Sequence, residues 1–207
     1  QLLHCSLSID KETSSADFVK YSKRLMRLLA EESIARLPTT SHTVTTPTNA
    51  PYHGELSLAD TNPDDICAVS IVRAGDSLLE AVRDITGIRV GKMWIQRNES
   101  SATKEAVHSC TKLPKDINNM HVILCDPMLA TGGSSCTALR ILVDEYGVDP
   151  TKIIFANVIS CPEGLEVVAK EFPSIQIVTC WVDDGLNEDK FIMPGLGDYG
   201  DRFFNTV

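Results

Sequence analysis

The stretch that decides the fold is His121-Val-Ile-Leu-Cys-Asp-Pro-Met-Leu-Ala-Thr-Gly-Gly-Ser134, an apolar run that ends at an aspartate and passes through two glycines into a helical pattern. Residues 122–125 predict a short strand, and residues 134–146 predict a helix that ends at Gly147. Ligands of open parallel sheets bind beyond the carboxyl ends of the strands. Asp126 is therefore expected to lie at a ligand site.

The segments on either side alternate between strand and helix patterns. Ile66–Val72 is a continuous apolar run, as expected for a strand buried on both faces of a parallel sheet. Further strands are predicted over 90–95, 153–159 and 175–182, and helices over 77–85 and 162–171. This alternation predicts an α/β fold with an open parallel sheet of five strands flanked by helices.

Two polar regions and an N-terminal helix complete the prediction. Residues 16–36 carry apolar side chains at helical spacing, with a capping-box-like start at Ser14. Residues 39–65 are long for a connector, so part of them is expected to pair as a strand or an arm. Residues 97–118 are polar and are expected to be irregular. We expect a single domain over 1–207, with an N-terminal helix and arm over 1–65, a core over 66–182 and a C-terminal segment over 183–207.

Composition limits the classes of function. A net charge of −9 over 207 residues disfavours a general nucleic-acid surface. No apolar run approaches the roughly 18 residues of a membrane helix, and the start lacks a signal-peptide pattern. The seven cysteines show no C-x-x-C spacing, and several lie in apolar runs where a reduced thiol behaves as a small hydrophobe. A reducing, cytoplasmic location is expected, with neither nucleic acid nor membrane as a partner.

The loop between the strand at 122–125 and the following helix suits a phosphate. Gly132 and Gly133 allow the backbone to approach a ligand closely. The N–H groups from Thr131 to Ser134 open a helix, where the helix dipole also favours an anion, and both hydroxyls add donors. The lysine of a nucleoside-triphosphate loop is absent after the glycines, so a terminal monophosphate fits better than a triphosphate. The alternative is an ordinary glycine turn, which the register of Asp126 with these residues disfavours.

Four motifs in order resemble one enzyme family. The run from Asp126 to Ser134 resembles the ribose-phosphate loop of phosphoribosyltransferases. Its sequence, Asp-Pro-Met-Leu-Ala-Thr-Gly-Gly-Ser, is similar to that of the uracil phosphoribosyltransferase branch. The loop begins with one acidic residue where many members of the superfamily have two. The other similar motifs are Arg73-Ala-Gly75, Asp184-Gly-Leu-Asn-Glu188 and, like that branch's uracil-binding hood, Pro194-Gly-Leu-Gly-Asp-Tyr-Gly-Asp201.

The resemblance implies a reaction. The family transfers the phosphoribosyl group of 5-phosphoribosyl 1-diphosphate to uracil, which gives UMP and diphosphate in pyrimidine salvage. The expected cofactor is Mg²⁺, held by substrate oxygens rather than by direct side-chain ligation, with contact to Asp198 through water. Asp126, Arg97 and Asp198 are the expected catalytic residues, because the ribose carbon becomes cation-like as diphosphate leaves.

The resemblance also implies the binding residues. Residues 97–118 would act as a flap that excludes water, although Gln96 stands where the family has a tyrosine. Uracil is expected at Ile192, Gly197, Asp198 and Tyr199, and backbone groups there would reject cytosine. Phosphoribosyl diphosphate is expected at Arg73, Ala74, Gly75, Arg97, Asp126, Pro127, Met128, Leu129, Ala130, Thr131, Gly132, Gly133, Ser134 and Asp198.

Other readings of the same motifs are distinguishable. Ser70-Ile-Val-Arg-Ala-Gly75 and Leu113-Pro-Lys-Asp116 also resemble non-catalytic partner domains of uridine kinases. Such domains usually have a degraded loop, and the intact loop here favours an enzyme. The hood argues against a purine or orotate, and the acidic charge argues against a regulatory RNA-binding relative. The family forms dimers, and some members form tetramers activated by GTP, so a homodimer or homotetramer and a GTP effector are expected.

Overall fold

The computed structural model describes residues 10–97 and 106–206, except for the side chains of Arg97 and Ala106. Its helices and strands follow one another along the chain in this order: α1 (Ser15–Ile34), β1 (Thr39–Thr45), β2 (Pro51–Ser57), α2 (Leu58–Thr61), β3 (Ile66–Val72), α3 (Gly75–Thr86), β4 (Arg89–Arg97), β5 (Ala106–Lys112), β6 (His121–Cys125), β7 (Met128–Leu129), α4 (Gly133–Arg140), β8 (Ile153–Ser160), α5 (Pro162–Glu171), β9 (Gln176–Val182), β10 (Gly185–Leu186), β11 (Ile192–Met193) and α6 (Tyr199–Phe204). Across these described ranges, no helix is both long and apolar enough to cross a membrane.

The central sheet has the strand order β5-β4-β3-β6-β8-β9, with the two residues of β7 pairing with β8 beyond the end of β6. Five neighbouring strands run parallel, in the order β4, β3, β6, β8 and β9, and the edge strand β5 is antiparallel to β4. From β3 the chain passes first to β4 on one side and then to β6 on the other. The strand order therefore reverses between β3 and β6, which is where ligands of such sheets bind. The predicted α/β fold with five parallel strands is confirmed.

Helices cover both faces of the sheet. On one face α1, α3 and α6 contribute Phe18, Leu78 and Tyr199 to a core that includes Ile123. On the other face α4 and α5 pack over a second set of strand residues, among them Phe155. Because both faces are covered, β8 is buried along its whole length. Each fully buried large apolar side chain stabilises the fold by roughly 1.5–3 kcal/mol.

Local signals explain where two of the helices begin and end. At the start of α1, the Ser14 hydroxyl accepts a hydrogen bond from the Asp17 backbone N–H at 3.2 Å, as the capping pattern predicted. The helix predicted over 134–146 is α-helical only to Arg140 and continues as a π-helical turn over Ile141–Glu145. Gly147 ends it with a φ of +70°, a conformation that favours glycine.

The polar segment 97–118 was wrongly expected to be irregular throughout. Residues 106–112 form β5, which pairs with β4 from Lys92↔Lys112 to Arg97↔Ala106. Strand β5 lies at the edge of the sheet and is largely exposed, so its sequence lacks the apolar run that marks a buried strand. Residues 98–105 of the expected flap lie outside the described residues.

The Thr-rich region after α1 forms the hairpin of β1 and β2, as the expectation of strand pairing required. Every residue of β1 is exposed. Val44 and Tyr52 face each other across the two strands and are 42% and 60% exposed. The hairpin thus presents an apolar cross-strand pair to solvent.

Candidate active site

An open cleft of about 1340 Å³ lies beyond the carboxyl ends of β3 and β6. The neighbouring parts of β4 and β5, the loop after β6 and the C-terminal segment complete its walls. The cleft therefore occupies the position at which the strand order reverses. It brings together twelve of the residues predicted to bind substrates: Arg73, Ala74, Asp126, Met128, Ala130, Gly132, Gly133, Ser134, Ile192, Gly197, Asp198 and Tyr199.

Four predicted binding residues are not part of the cleft lining, and packing explains each position. Leu129 is buried and pairs with β8, and Pro127 is buried with its carbonyl accepting from two β8 amides at 3.0 Å. A Cβ on Gly75 would lie 2.2 Å from the Cys125 carbonyl oxygen, so this glycine allows α3 to start against β6. The Thr131 hydroxyl accepts from the Gly133 N–H at 3.5 Å. These residues shape the cleft wall from behind.

Arg97 is the remaining predicted contact. It is the last residue of β4, and its backbone pairs with that of Ala106 in β5. Its side chain lies outside the described residues, so its catalytic role stays a prediction. Gln96, which stands beside it, does line the cleft and is exposed.

The loop after β6 has the geometry of an anion site. Gly132 adopts a φ of +80° and precedes α4, whose first bond joins the Cys136 N–H to the Gly132 carbonyl at 2.8 Å. The N–H groups of a first helical turn have no partner within the helix, so those of Ser134 and Ser135 are available to an anion, whereas the Gly133 N–H donates to Thr131. A Cβ on Gly132 would meet Val167 at 3.1 Å, whereas one on Gly133 would meet nothing closer than 3.7 Å. The positive φ makes glycine necessary at Gly132 rather than at Gly133.

Sequence reasoning missed two residues that support this loop. A Cβ on Gly164, in the first turn of α5, would lie 2.4 Å from the Ala130 carbonyl oxygen. The buried Cys161 thiol donates to the same oxygen at 3.1 Å, and the Cys161 N–H donates to the Leu129 carbonyl at 3.2 Å. The available signal was a glycine early in the helix that follows the neighbouring parallel strand, at the same edge of the sheet.

Asp126 is held by the sheet at the start of the loop. Its N–H donates to the Ala156 carbonyl in β8 at 3.2 Å, and its Oδ1 accepts from the Met128 N–H at 3.5 Å. The side chain is half-buried and lines the cleft. A carboxylate is therefore fixed beside the space in front of the loop.

Arg73 follows β3 and is held by the C-terminal segment. Its Nη2 forms an ion pair with Asp201 Oδ1 at 2.7 Å, and its Nη1 donates to the Thr206 hydroxyl at 3.0 Å. The guanidinium carbon lies 5.4 Å from the centre of the Phe204 ring. Arg73 is thus a fixed cation in the cleft wall, with guanidinium N–H groups beyond the two bound here.

Of the predicted uracil contacts, Ile192 lies in β11, Gly197 precedes α6, and Asp198 and Tyr199 form the start of α6, which is anchored in the core. The Asp198 carboxylate caps α6 by accepting from the Asp201 N–H at 2.8 Å. The Tyr199 ring is 1% exposed, stacks on Phe203 with centroids 5.5 Å apart, and its hydroxyl contacts Met26 Sδ at 3.5 Å. Burial raises the pKa of Tyr199. Tyr199 therefore offers backbone to the cleft while its side chain fixes the helix.

The strand pair β10–β11 and the turn after it are tied to the core by two carboxylates. Buried Asp183 accepts from the Trp181 indole N–H at 2.8 Å and from the Gly195 N–H at 2.9 Å. Glu163 Oε1 accepts from the Leu186 N–H at 3.1 Å. Hydrogen bonds from its own backbone N–H and from Leu186 lower the pKa of Glu163.

The cleft lining also includes residues that were absent from the prediction, among them two in one turn. Lys190 and Phe191 lie in the turn between β10 and β11 and line the cleft, and both are exposed. A basic residue between the two predicted motifs 184–188 and 194–201 was the signal for Lys190. It adds a second cation to a cleft in a chain of net charge −9.

The cleft fits a magnesium ion that is held mainly by a substrate. Asp126 and Asp198 are carboxylates, the hard oxygen ligands that Mg²⁺ prefers, and both line the cleft. Within residues 10–97 and 106–206, no three His, Cys, Asp or Glu side chains are grouped to hold a metal. Mg²⁺ commonly keeps several waters and binds through one or two carboxylates together with substrate phosphates.

Comparisons with known proteins agree with this geometry. The family model "Uracil phosphoribosyltransferase" matches residues 2–206. The uracil phosphoribosyltransferase of Lachancea kluyveri is 45% identical over 196 residues, which cover 94% of this chain and 87% of the relative. That of Dictyostelium discoideum is 43% identical, covering 95% of this chain and 88% of its own length.

A longer relative and a solved structure are also similar to this chain. Uridine kinase-like protein 4 of Arabidopsis thaliana is 43% identical over 95% of this chain, which spans only 40% of that protein. The structure of the AQ2163 protein from Aquifex aeolicus has a TM-score of 0.81 and 30% sequence identity, covering 98% of this chain and 94% of that one. With the family model matched over nearly the whole length, the chain belongs to the uracil phosphoribosyltransferase family.

Proposed function

We propose that this chain transfers the phosphoribosyl group of 5-phosphoribosyl 1-diphosphate to uracil, with UMP and diphosphate as products. The observation that supports this most strongly is the composition of one cleft. It holds an anion-binding loop over 126–134, a fixed arginine after β3 and a backbone-lined segment over 192–199. In this proposal the loop binds the 5′-phosphate, the arginine binds the diphosphate, and the segment over 192–199 binds the base.

The 5′-phosphate binds the loop that opens α4. The backbone N–H groups of Ser134 and Ser135 and the Ser134 hydroxyl donate to it, and the helix dipole adds to the attraction. These local donors are necessary because the chain as a whole, at a net charge of −9, repels an anionic substrate. Gly164 and Cys161 hold the loop carbonyls from behind.

The phosphoribosyl group is transferred in the space between the loop over 126–134 and Arg73. The bond from ribosyl C1 to the diphosphate oxygen breaks, the bond from C1 to uracil N1 forms, and the N1 proton passes to the departing diphosphate or to solvent. Asp126 stabilises the positive charge that develops on the ribose, and Arg73 and Arg97 bind the diphosphate as negative charge collects on it. Mg²⁺, with Asp198 nearby, supplies charge neutralisation of the leaving diphosphate when it is bound.

Uracil is read by the backbone of the segment 192–199. Ile192, Gly197 and Tyr199 line the cleft, and the Tyr199 ring stacks on Phe203 within α6. Uracil presents a ring N–H between two carbonyls, whereas cytosine presents an acceptor and an amino group. The wrong base would leave buried polar groups unpaired, so discrimination by about 10⁴-fold or more is expected in kcat/KM.

The kinase-associated reading has the 43% identity with the uridine kinase-like protein in its favour. It predicts a folded chain that forms no nucleotide. The complete set of cleft walls supports catalysis instead. Incubation with phosphoribosyl diphosphate, Mg²⁺ and each of uracil, cytosine, orotate and hypoxanthine separates the possibilities, since only the proposed enzyme forms UMP from uracil.

We also propose that a second copy of the chain covers the hairpin of β1 and β2. An isolated two-stranded hairpin is at best marginally stable in water, and the exposed pair Val44–Tyr52 gives a partner apolar surface to bury. The cytoplasmic location proposed for the protein agrees with its free cysteines at 67, 110, 125, 136, 161 and 180.

The hairpin proposal predicts a change of mass in solution. Glutamate at both Val44 and Tyr52 should convert the oligomer to monomers in sedimentation velocity, because two charges would have to be desolvated in the interface. The matched control places glutamate at Thr43 and His53, the neighbouring pair whose side chains contact each other at 2.9 Å on the opposite face. A wild-type monomer, or an unchanged mass for the Val44–Tyr52 variant, would contradict the proposal. Repeating mass and rate measurements with GTP tests that effector.

A further inference from the structure

We propose that the Arg73–Asp201 ion pair couples the two ends of the cleft, so that an anion bound at the diphosphate end strengthens uracil binding at the other. This inference rests on the proposed function and assigns a positioning role to Asp201, which lies outside the cleft lining. The pair joins residues 128 positions apart in the chain. One belongs to the turn after β3 and the other to α6.

The contacts make Arg73 and Asp201 a closed cluster. Asp201 Oδ1 accepts from Arg73 Nη2 at 2.7 Å and from the Thr206 hydroxyl at 2.7 Å. The same hydroxyl accepts from Arg73 Nη1 at 3.0 Å. Hydrogen bonds from Thr206 and then from Arg73 lower the pKa of Asp201, so the carboxylate is charged at neutral pH. A displacement of the guanidinium therefore acts directly on α6.

The other side of Asp201 leads to the base-binding backbone. Its N–H donates to the Asp198 carboxylate at 2.8 Å, and Asp198 lines the cleft. Between them, a Cβ on Gly200 would lie 3.3 Å from both Arg73 Nη2 and Asp198 Oδ1. A side chain at Gly200 would crowd both the arginine and the Asp198 carboxylate. The diphosphate end and the base end of the cleft are therefore one contact apart.

A role in coupling explains the pair better than a role in stability. The two side chains are 49% and 36% exposed, and exposed ion pairs contribute only about 0–1 kcal/mol to stability. The guanidinium has five N–H groups, of which two are bound here, so it can hold Asp201 and an anion at the same time. An anion that fixes Arg73 also fixes α6 in the position that reads uracil, and linkage makes the effect reciprocal.

The test measures uracil binding with and without inorganic diphosphate. Uracil and diphosphate do not react with each other, so the dissociation constant of uracil is an equilibrium quantity at saturating diphosphate and Mg²⁺. In the wild type we expect diphosphate to tighten uracil binding about tenfold, within the usual range of coupling between two sites. In Asp201→Ala the factor should fall below about twofold. Asp201→Asn, which keeps the shape and one acceptor, should give an intermediate value.

The matched control is Asp116→Ala. Asp116 forms an ion pair with Arg89 at 2.7 Å, and these side chains are about as exposed as those of Arg73 and Asp201. Arg89 begins β4, so this pair lies at the amino ends of the parallel strands, away from the cleft. This variant should keep the tenfold factor. Melting temperatures establish that each variant is folded. A wild-type factor of one, or an unchanged factor in Asp201→Ala and Asp201→Asn, overturns the coupling. Failure of the wild type to form UMP is a separate result that removes the proposed function.

Discussion

Replacement of Asp126 by asparagine is expected to lower kcat about 100-fold, with little change in the apparent KM for either substrate. The substitution keeps the shape of the side chain, the backbone hydrogen bond to Ala156 and a side-chain oxygen that can accept from the Met128 N–H. In the proposed reaction, the negative charge that the substitution removes stabilises the ribose carbon mainly once that carbon has become cation-like. Loss of one electrostatic contact of this kind costs about 10²–10³-fold in kcat in other enzymes. Initial rates over both substrate concentrations measure it.

The control for this prediction is Asp144→Asn. Asp144 is exposed in the π-helical turn after α4 and is not part of the cleft lining. This variant should keep the wild-type rate. If Asp126→Asn also keeps the full rate, the carboxylate has no part in stabilising the ribosyl charge, and its position at the end of β6 serves only the shape of the loop.

Replacement of Arg73 by alanine is expected to raise the apparent KM for phosphoribosyl diphosphate about 30-fold, which corresponds to about 2 kcal/mol. The guanidinium offers charge-assisted hydrogen bonds to the diphosphate, and each such bond is stronger than one between neutral groups. The ion pair with Asp201 is also lost, so a carboxylate without its cation would remain near an anionic substrate. Substrate-saturation kinetics at fixed uracil measure the change.

Arg89→Ala is the matched control for Arg73→Ala. Arg89 forms a two-bond contact with Asp116 at 2.7 and 2.9 Å, but it lies at the amino end of β4, away from the cleft. Its removal should leave the KM for phosphoribosyl diphosphate within about twofold of the wild-type value, since distant charges are screened within about 8–10 Å. Equal effects in the two variants would mean that Arg73 acts through general charge and not as a ligand of the diphosphate.

The buried part of the fold was predictable because its physical signals are local. Ile66–Val72 and residues 153–159 are apolar except for Ser70 and Asn157, a pattern typical of strands that are covered on both faces. The loop after β6 was equally readable, since a strand end, an aspartate and two glycines before a helix fall within nine residues, 126–134. Helix α5 was predicted with its observed bounds because Pro162 favours the first turn.

The remaining features depend on contacts between distant parts of the chain. Strand β5 is an exposed edge strand, so its polar residues resemble a loop until β4 is placed beside it. Gly164 matters because its α5 backbone meets the loop before α4, about 30 residues earlier. Tyr199 was expected to contact the base through its backbone, and the place of its ring was not predicted; the ring fills the core against Met26, because α1 supplies an apolar site that a local pattern does not show. Such contacts set the shape of the site, but neither of the two segments in contact carries a recognisable sequence pattern for it.

The most direct test of the central claim is to follow radiolabelled uracil with purified protein, phosphoribosyl diphosphate and Mg²⁺, and to quantify UMP and diphosphate together. We expect the two products to appear in equal amounts, cytosine, orotate and hypoxanthine to give no nucleotide under the same conditions, and Asp126→Asn to slow the uracil reaction. A folded wild-type protein that forms no UMP, or that forms a nucleotide from another base instead, would contradict the central claim.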